Sequence, residues 1–147
     1  MRNDSRLSRM LHVLLHMAGH KGAMTSETIA KMLGTNPVVV RRTMAGLRDA
    51  GYVSSEKGHG GGWVIAADLD TVSLLDVHRA VGGLRLFAIG SEHPNPNCAV
   101  EAAVNEALDD ALAEAEALLI ARLGAVKLAD LARSFDARCA LREESEH

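Results

Sequence analysis

"TSETIAKMLGTNPVVVRRTMAGLRDAGYV", residues 25–53, reads as two capped helices with almost nothing between them. Thr25 or Ser26 can cap the first, with Thr25 and Thr28 forming a weak capping box and Gly34 placed to close it. Ile29, Met32 and Leu33 are its apolar stripe. Asn36 followed by Pro37 starts the next helix. The Asn side chain accepts from the free amides, and proline's missing N–H costs nothing at the first helical position. Room remains for a turn of roughly three residues, as in helix-turn-helix units. At 100° per residue, Val40, Met44 and Leu47 share one face of this helix and form its core side. Val38, Arg42, Ala45 and Asp49 lie opposite, flanked by Arg41 and Arg48. Most faces of this kind are simply solvated. After a short helix and a tight turn, however, small residues beside arginines suit close approach to a DNA groove.

Beyond Gly51 the pattern changes to "YVSSEK" and "WVIAA", which have strand composition, around "GHGG". Glu56–Trp63, "EKGHGGGW", is therefore the tip of a β-hairpin. A phosphate-binding Walker loop needs Lys and Ser/Thr after its last glycine, where Trp63 stands, and a dinucleotide fingerprint needs a helix on the far side. The tip carries Lys57, His59 and Gly60, with no bulk to hold its amides away from phosphates. Trp63 reads as the root that pins the hairpin to the core. Upstream, "DSRLSRMLHVLLHMAGH" predicts a helix capped by Asp4 or Ser5 and closed by Gly19, with a stripe of Leu7, Met10, Leu11, Leu14, Leu15 and Ala18. The fold class is mainly α with a small β-hairpin: a winged helix-turn-helix.

Composition agrees. The 147 residues are 48% hydrophobic but only 3% aromatic, so the core is aliphatic. The net charge of −3 conceals a polarity. Residues 1–65 carry nine Lys/Arg against four Asp/Glu, and residues 66–147 carry seven against fifteen. A basic front and an acidic rear suit a nucleic-acid partner for the front. The apolar run in the first helix is too short and too His-interrupted to span a membrane, and no signal-peptide pattern follows it. Two cysteines make no disulfide framework. The expectation is a cytoplasmic protein with reduced thiols.

The segments "TSETIAKMLGTNPVVVRRTMAGLRDAGYV" and "KGHGGGWVIA" resemble the bacterial Rrf-two family of transcription regulators. Gly58, Gly61 and Gly62 with Ile65 and Ala66 match that family's wing, and His59 and Gly60 fall on its variable tip. "TNPVVVRR" and the later "HPNPNC" look most like its YwnA-type branch. The resemblance runs from about Leu7 to about Leu131. It implies a homodimer on an inverted-repeat operator, usually as a repressor. Val38, Arg41 and Arg42 with Asn36 and Pro37 would then face the major groove, and Thr25, Ser26 and Lys57 the phosphates. His59 and Gly60 would make the wing contact.

The reading divides the chain into a DNA-binding domain at 1–67, a packing helix and connector at 68–97, and dimerisation or sensor helices with a tail at 98–147. "TVSLLDVHRAVGG" is the packing helix, expected to fold back on the first domain. From about Cys98 to Leu123 runs a long helix with an apolar stripe of Val100, Val104, Leu108, Ala111, Ala115, Leu118 and Leu119. With little left to cover it, the stripe points to a second copy of the chain. "VKLADLARSF" adds a short terminal helix, and "REESEH" reads as a frayed tail.

Cluster-binding members of the resembled family carry three closely spaced cysteines at the start of the long helix. Here Cys98 is followed by alanines and valines, and Cys139 lies in another element, so no cofactor is expected. An unusual iron–sulfur or metal site, Cys98 with His12, His16 and His20 of the first helix, is the alternative, against ordinary helical histidines. Cys98 itself is either a buried inert thiol or a one-cysteine sensor, since helix N-termini favour anions and His93 is near in sequence. Cys98 and His93 have no oxyanion or substrate motif beside them, so the chain is not read as an enzyme. The function expected is sequence-specific binding of double-stranded DNA, with thiol sensing at Cys98.

Overall fold

The structure, a computed structural model, describes residues 6–58, 61–82 and 98–145. Helices α1 (Arg6–Gly19), α2 (Ser26–Leu33) and α3 (Pro37–Asp49) precede strands β1 (Val53–Glu56) and β2 (Gly62–Ile65). Helices α4 (Leu74–Ala80), α5 (Ala99–Ala125) and α6 (Leu128–Ser145) follow. Three helices and a hairpin in that order make the expected winged helix-turn-helix, with the long helix after it.

The caps that start and stop α2 and α3 are local. Thr25 Oγ1 accepts from the Thr28 amide at 3.1 Å, and Gly34 closes α2 in the left-handed region at φ 65°. Asn36 Oδ1 accepts from the amides of Val38 (2.7 Å) and Val39 (3.3 Å), with Pro37 in the first turn. Val40, Met44 and Leu47 are buried, as their spacing requires.

α1 keeps most of its expected face, with Met10 and Leu14 in the core and Leu7 and Leu11 packed against it, but the face is shifted at its C-terminal end. Its buried residues are Met10, Val13, Leu14 and Met17, whereas Leu15 is half-buried and Ala18 exposed. Both sets keep helical spacing, and the position of the neighbouring helices chooses between them. Gly19 also lacks the terminating role expected of it: it is the last residue of α1, and the left-handed residue is Gly22 at φ 88°. The Asp4 and Ser5 caps lie outside the described residues.

β1 and β2 are antiparallel, with Val53 opposite Ile65 and Ser55 opposite Trp63. A third rung comes from the loop before α2. Met24 and Trp63 exchange backbone bonds of 3.0 and 2.8 Å. Gly62 permits this approach, because a Cβ there would lie 2.5 Å from the Met24 carbonyl oxygen. The hairpin is thereby tied to the helix-turn-helix.

One hydrophobic core runs from Met10 to Val77 and takes in Leu128, which is 1% exposed. α4 opens on a capping box between Ser73 and Asp76 and packs on α3 as well as α1. Contact with α3 is close: a Cβ on Gly46 would sit 2.5 Å from the Ala80 carbonyl oxygen. The α5–α6 junction is stitched to the chain before α4. Leu74 N donates to Val126 O (3.0 Å) and Leu128 N to Val72 O (2.9 Å). The start of α6 thus shares the core of the first domain.

α5 is about 40 Å long at 1.5 Å per residue and buries none of its side chains. α6 corrects the expectation of a short helix and a frayed tail, since it continues to Ser145. No glycine or proline follows Gly124, and Ala, Leu, Arg and Glu all favour the helix. The connector from 83 to 97, with His93, lies outside the described residues.

Candidate nucleic-acid interface

Burial of Val40, Met44 and Leu47 turns the other face of α3 outward. Val38 and Val39 in its first turn are 56% and 49% exposed, although both are large and apolar. Arg42, one turn on from Val38, is exposed and makes no ion pair among the described residues. Arg48 lies 3.5 Å from its neighbour Asp49. Arg41 is held differently: its Nη2 donates to Glu27 Oε1 of α2 at 3.2 Å. Glu27 sits in the first turn of α2, and its carboxyl is held below the usual carboxylate range by a backbone hydrogen bond and by Arg41. Pro37 is half-buried at the mouth of this face. Asn36 gives its oxygen to the cap, so its amide NH2 is what remains for an outside partner.

The expected phosphate contacts divide. Thr25 is half-buried, and its hydroxyl donates to Thr28 Oγ1 at 2.9 Å while capping α2. Lys57 is exposed at the end of β1. Ser26 is buried at 7% exposure, and its hydroxyl accepts from the Trp63 indole N–H at 3.0 Å. That burial reassigns Ser26 from a phosphate contact to the anchor of the hairpin root.

At the hairpin tip, Gly58 takes φ 96°, and the Gly61 amide donates to its carbonyl at 3.0 Å. A Cβ on Gly61 would run into the Glu56 carbonyl. Gly58, Gly61 and Gly62 thus shape the turn, as the wing pattern implied, while His59 and Gly60 lie outside the described residues. Sequence reasoning passed over Glu27 and Gly46. Glu27 is fourteen positions from its partner, and no spacing rule connects the two.

In the second half, Cys98 is half-buried and is the N-cap of α5, with Sγ accepting from the Glu101 amide at 3.5 Å. Cys139 is exposed on α6. His12 and His16 stack at 4.7 Å on the exposed side of α1, and His16 meets the edge of Phe135 of α6 at 5.9 Å. His20 instead turns to the Gly22 carbonyl, 3.3 Å away. Among the described residues, no three His, Cys, Asp or Glu side chains converge as a metal site would require. The ligand set of Cys98 with α1 histidines is not assembled within this chain.

Comparison with known proteins gives the family. Residues 3–134 match the model of the Rrf2 family, described as iron-dependent transcriptional regulators. A protein of Bacillus subtilis described as the HTH-type transcriptional regulator YwnA is 35% identical over 129 residues, covering 87% of this chain and 95% of its own. A crystal structure described as a DNA binding protein is 32% identical, with TM-score 0.66, covering 86% of this chain and 98% of that one. The oxidized form of Staphylococcus aureus CymR shares the fold, with TM-score 0.67 at 20% identity over 90% of this chain and 96% of its own. The iron of the family description does not fit the donors found here: Cys98 caps a helix, Cys139 is remote in sequence, and no cluster joins them among the described residues. A winged helix-turn-helix matched over nearly its whole length leaves one conclusion: the chain belongs to the Rrf2 family of transcriptional regulators.

Proposed function

We propose that this regulator acts as a homodimeric repressor on an inverted-repeat operator, each copy placing α3 in the major groove and its hairpin along the backbone. The observation that carries the reading is the two-faced α3. One side is locked in the core by Val40, Met44 and Leu47, and the other presents Val38, Val39 and Arg42 to solvent. Large aliphatic side chains exposed on the face that carries Arg41 and Arg42 suit thymine methyls and guanine edges. Lys57 and the glycine tip would hold phosphates, which fix register without reading sequence.

α5 supplies the dimer. Val100, Val104, Leu108, Ala111, Ala115 and Leu118 are exposed and Leu119 is half-buried, all on one side of the helix. A stripe of that length is covered by a second copy, which sets the two α3 helices about 34–36 Å apart for successive major grooves. Among the described residues no helix is long and apolar enough to cross a membrane. We place the protein in the cytoplasm, where the chromosome is. Cys98 at the start of α5 is the proposed sensor. Alkylation, or oxidation by a peroxide to a sulfenic acid with release of water, changes the size and polarity of the group that caps the Glu101 amide and so alters the first turn of the dimer helix.

The test is a gel shift with duplexes selected from a randomised library, over a range of salt, combined with the gel-filtration mass. A dimer whose operator affinity falls steeply with salt and exceeds its affinity for scrambled duplex supports the reading. Equal affinity for both duplexes overturns it.

A further inference from the structure

The Glu27–Arg41 pair joins the two helices of the helix-turn-helix on the side that faces outward. Both partners are well exposed, with side chains 55% (Arg41) and 62% (Glu27) accessible. An exposed ion pair contributes little to stability. The α2–α3 angle does not depend on it, because Ile29 and Ala30 of α2 are already buried with Val40 and Met44 of α3. What the pair does alter is the behaviour of Arg41. An unrestrained arginine beside DNA finds the nearest phosphate, and a phosphate contact carries no sequence information. With Nη2 donating to Glu27 Oε1 at 3.2 Å, one end of the guanidinium is drawn toward α2 and its other donors are left for an outside partner.

We propose that Glu27 is a specificity-determining residue: it positions Arg41 for a base edge and withholds that arginine from the backbone. The role rests on the reading of α3 as the groove helix. Arg42, which has no such partner among the described residues, keeps the freedom that Arg41 lacks. Two neighbouring arginines of one helix are thereby given different tasks.

The experiment uses the full chain with Glu27→Gln, Arg41→Ala and the double variant. Affinities are measured for the duplex selected by the wild-type protein and for a scrambled one, across salt. Glu27→Gln is expected to raise affinity for scrambled duplex and lower the ratio between the two duplexes by about 5- to 100-fold, the range of one base contact. Its salt dependence should steepen by about one phosphate contact. In the Arg41→Ala background the same change should leave the ratio within about twofold, since its target is gone. Reselection from the library with Glu27→Gln should lose preference at one position of each half-site and keep it elsewhere, which a merely structural role would not produce. A ratio unchanged by Glu27→Gln, or reduced equally with and without Arg41, overturns the inference. If the wild-type protein itself fails to discriminate the duplexes, the groove assignment of α3 fails instead, and the two failures are distinct.

Discussion

The indole N–H of Trp63 donates to Ser26 Oγ across 3.0 Å in the buried interior, thirty-seven residues apart in sequence. With the backbone exchange between Met24 and Trp63, this bond fixes the root of the hairpin to the first turn of α2. The direction of the wing is therefore coupled to the helix-turn-helix.

Ser26→Ala removes the acceptor and leaves the indole N–H buried and unsatisfied. It should lower stability by about 1–3 kcal/mol, read from the urea midpoint at unchanged slope. Operator affinity should fall with it, because the wing loses its anchor.

Gly46→Ala tests whether packing outweighs propensity. In a free helix the change would help by about 1 kcal/mol. Here the new Cβ meets the Ala80 carbonyl oxygen at 2.5 Å, and a backbone atom cannot swing aside. Thermal melts should show a net loss of about 1–3 kcal/mol, the usual range for overpacking.

Arg42→Ala should weaken binding to operator and scrambled duplex alike and flatten the salt dependence by about one phosphate contact, since Arg42 has no restraint like that of Arg41 among the described residues. Titrations of both duplexes across salt check it, and a loss confined to the operator would make Arg42 a base contact.

Leu118→Glu places a charge in the α5 stripe at a side chain 65% exposed within one chain. The fold should survive, with unchanged far-UV circular dichroism. Sedimentation should show a monomer, and the steep operator affinity should vanish with the second half-site.

Cys98→Ser keeps an acceptor for the Glu101 amide, so the start of α5 should be intact and operator binding under reducing conditions equal to wild type. An oxidant should change wild-type operator affinity severalfold and leave the Ser variant unmoved. Equal responses of the two proteins would end the sensor role.

What could be read in advance follows the range of the interactions concerned. The Thr25 and Asn36 caps, Pro37, the Val40–Met44–Leu47 face and the glycine pattern of the wing are settled within about four residues of chain. α5 forms where its Ala- and Leu-rich composition favours a helix, and none of its residues, in the stripe or outside it, is buried in the single chain.

The sequence by itself determined the order of elements and where α2 and α3 begin. Only the tertiary structure decided which side of α1 turns inward, since Leu15 and Val13 fit the same period and the neighbouring helices chose Val13. Contacts far apart in the chain likewise took Ser26 from the surface into the core and brought Leu128 into the first domain. They also pressed Gly46 against α4 and set Glu27 beside Arg41. Caps and stripes arise from neighbours along one helix, whereas these pairings depend on how separate helices meet, and no local spacing encodes that meeting.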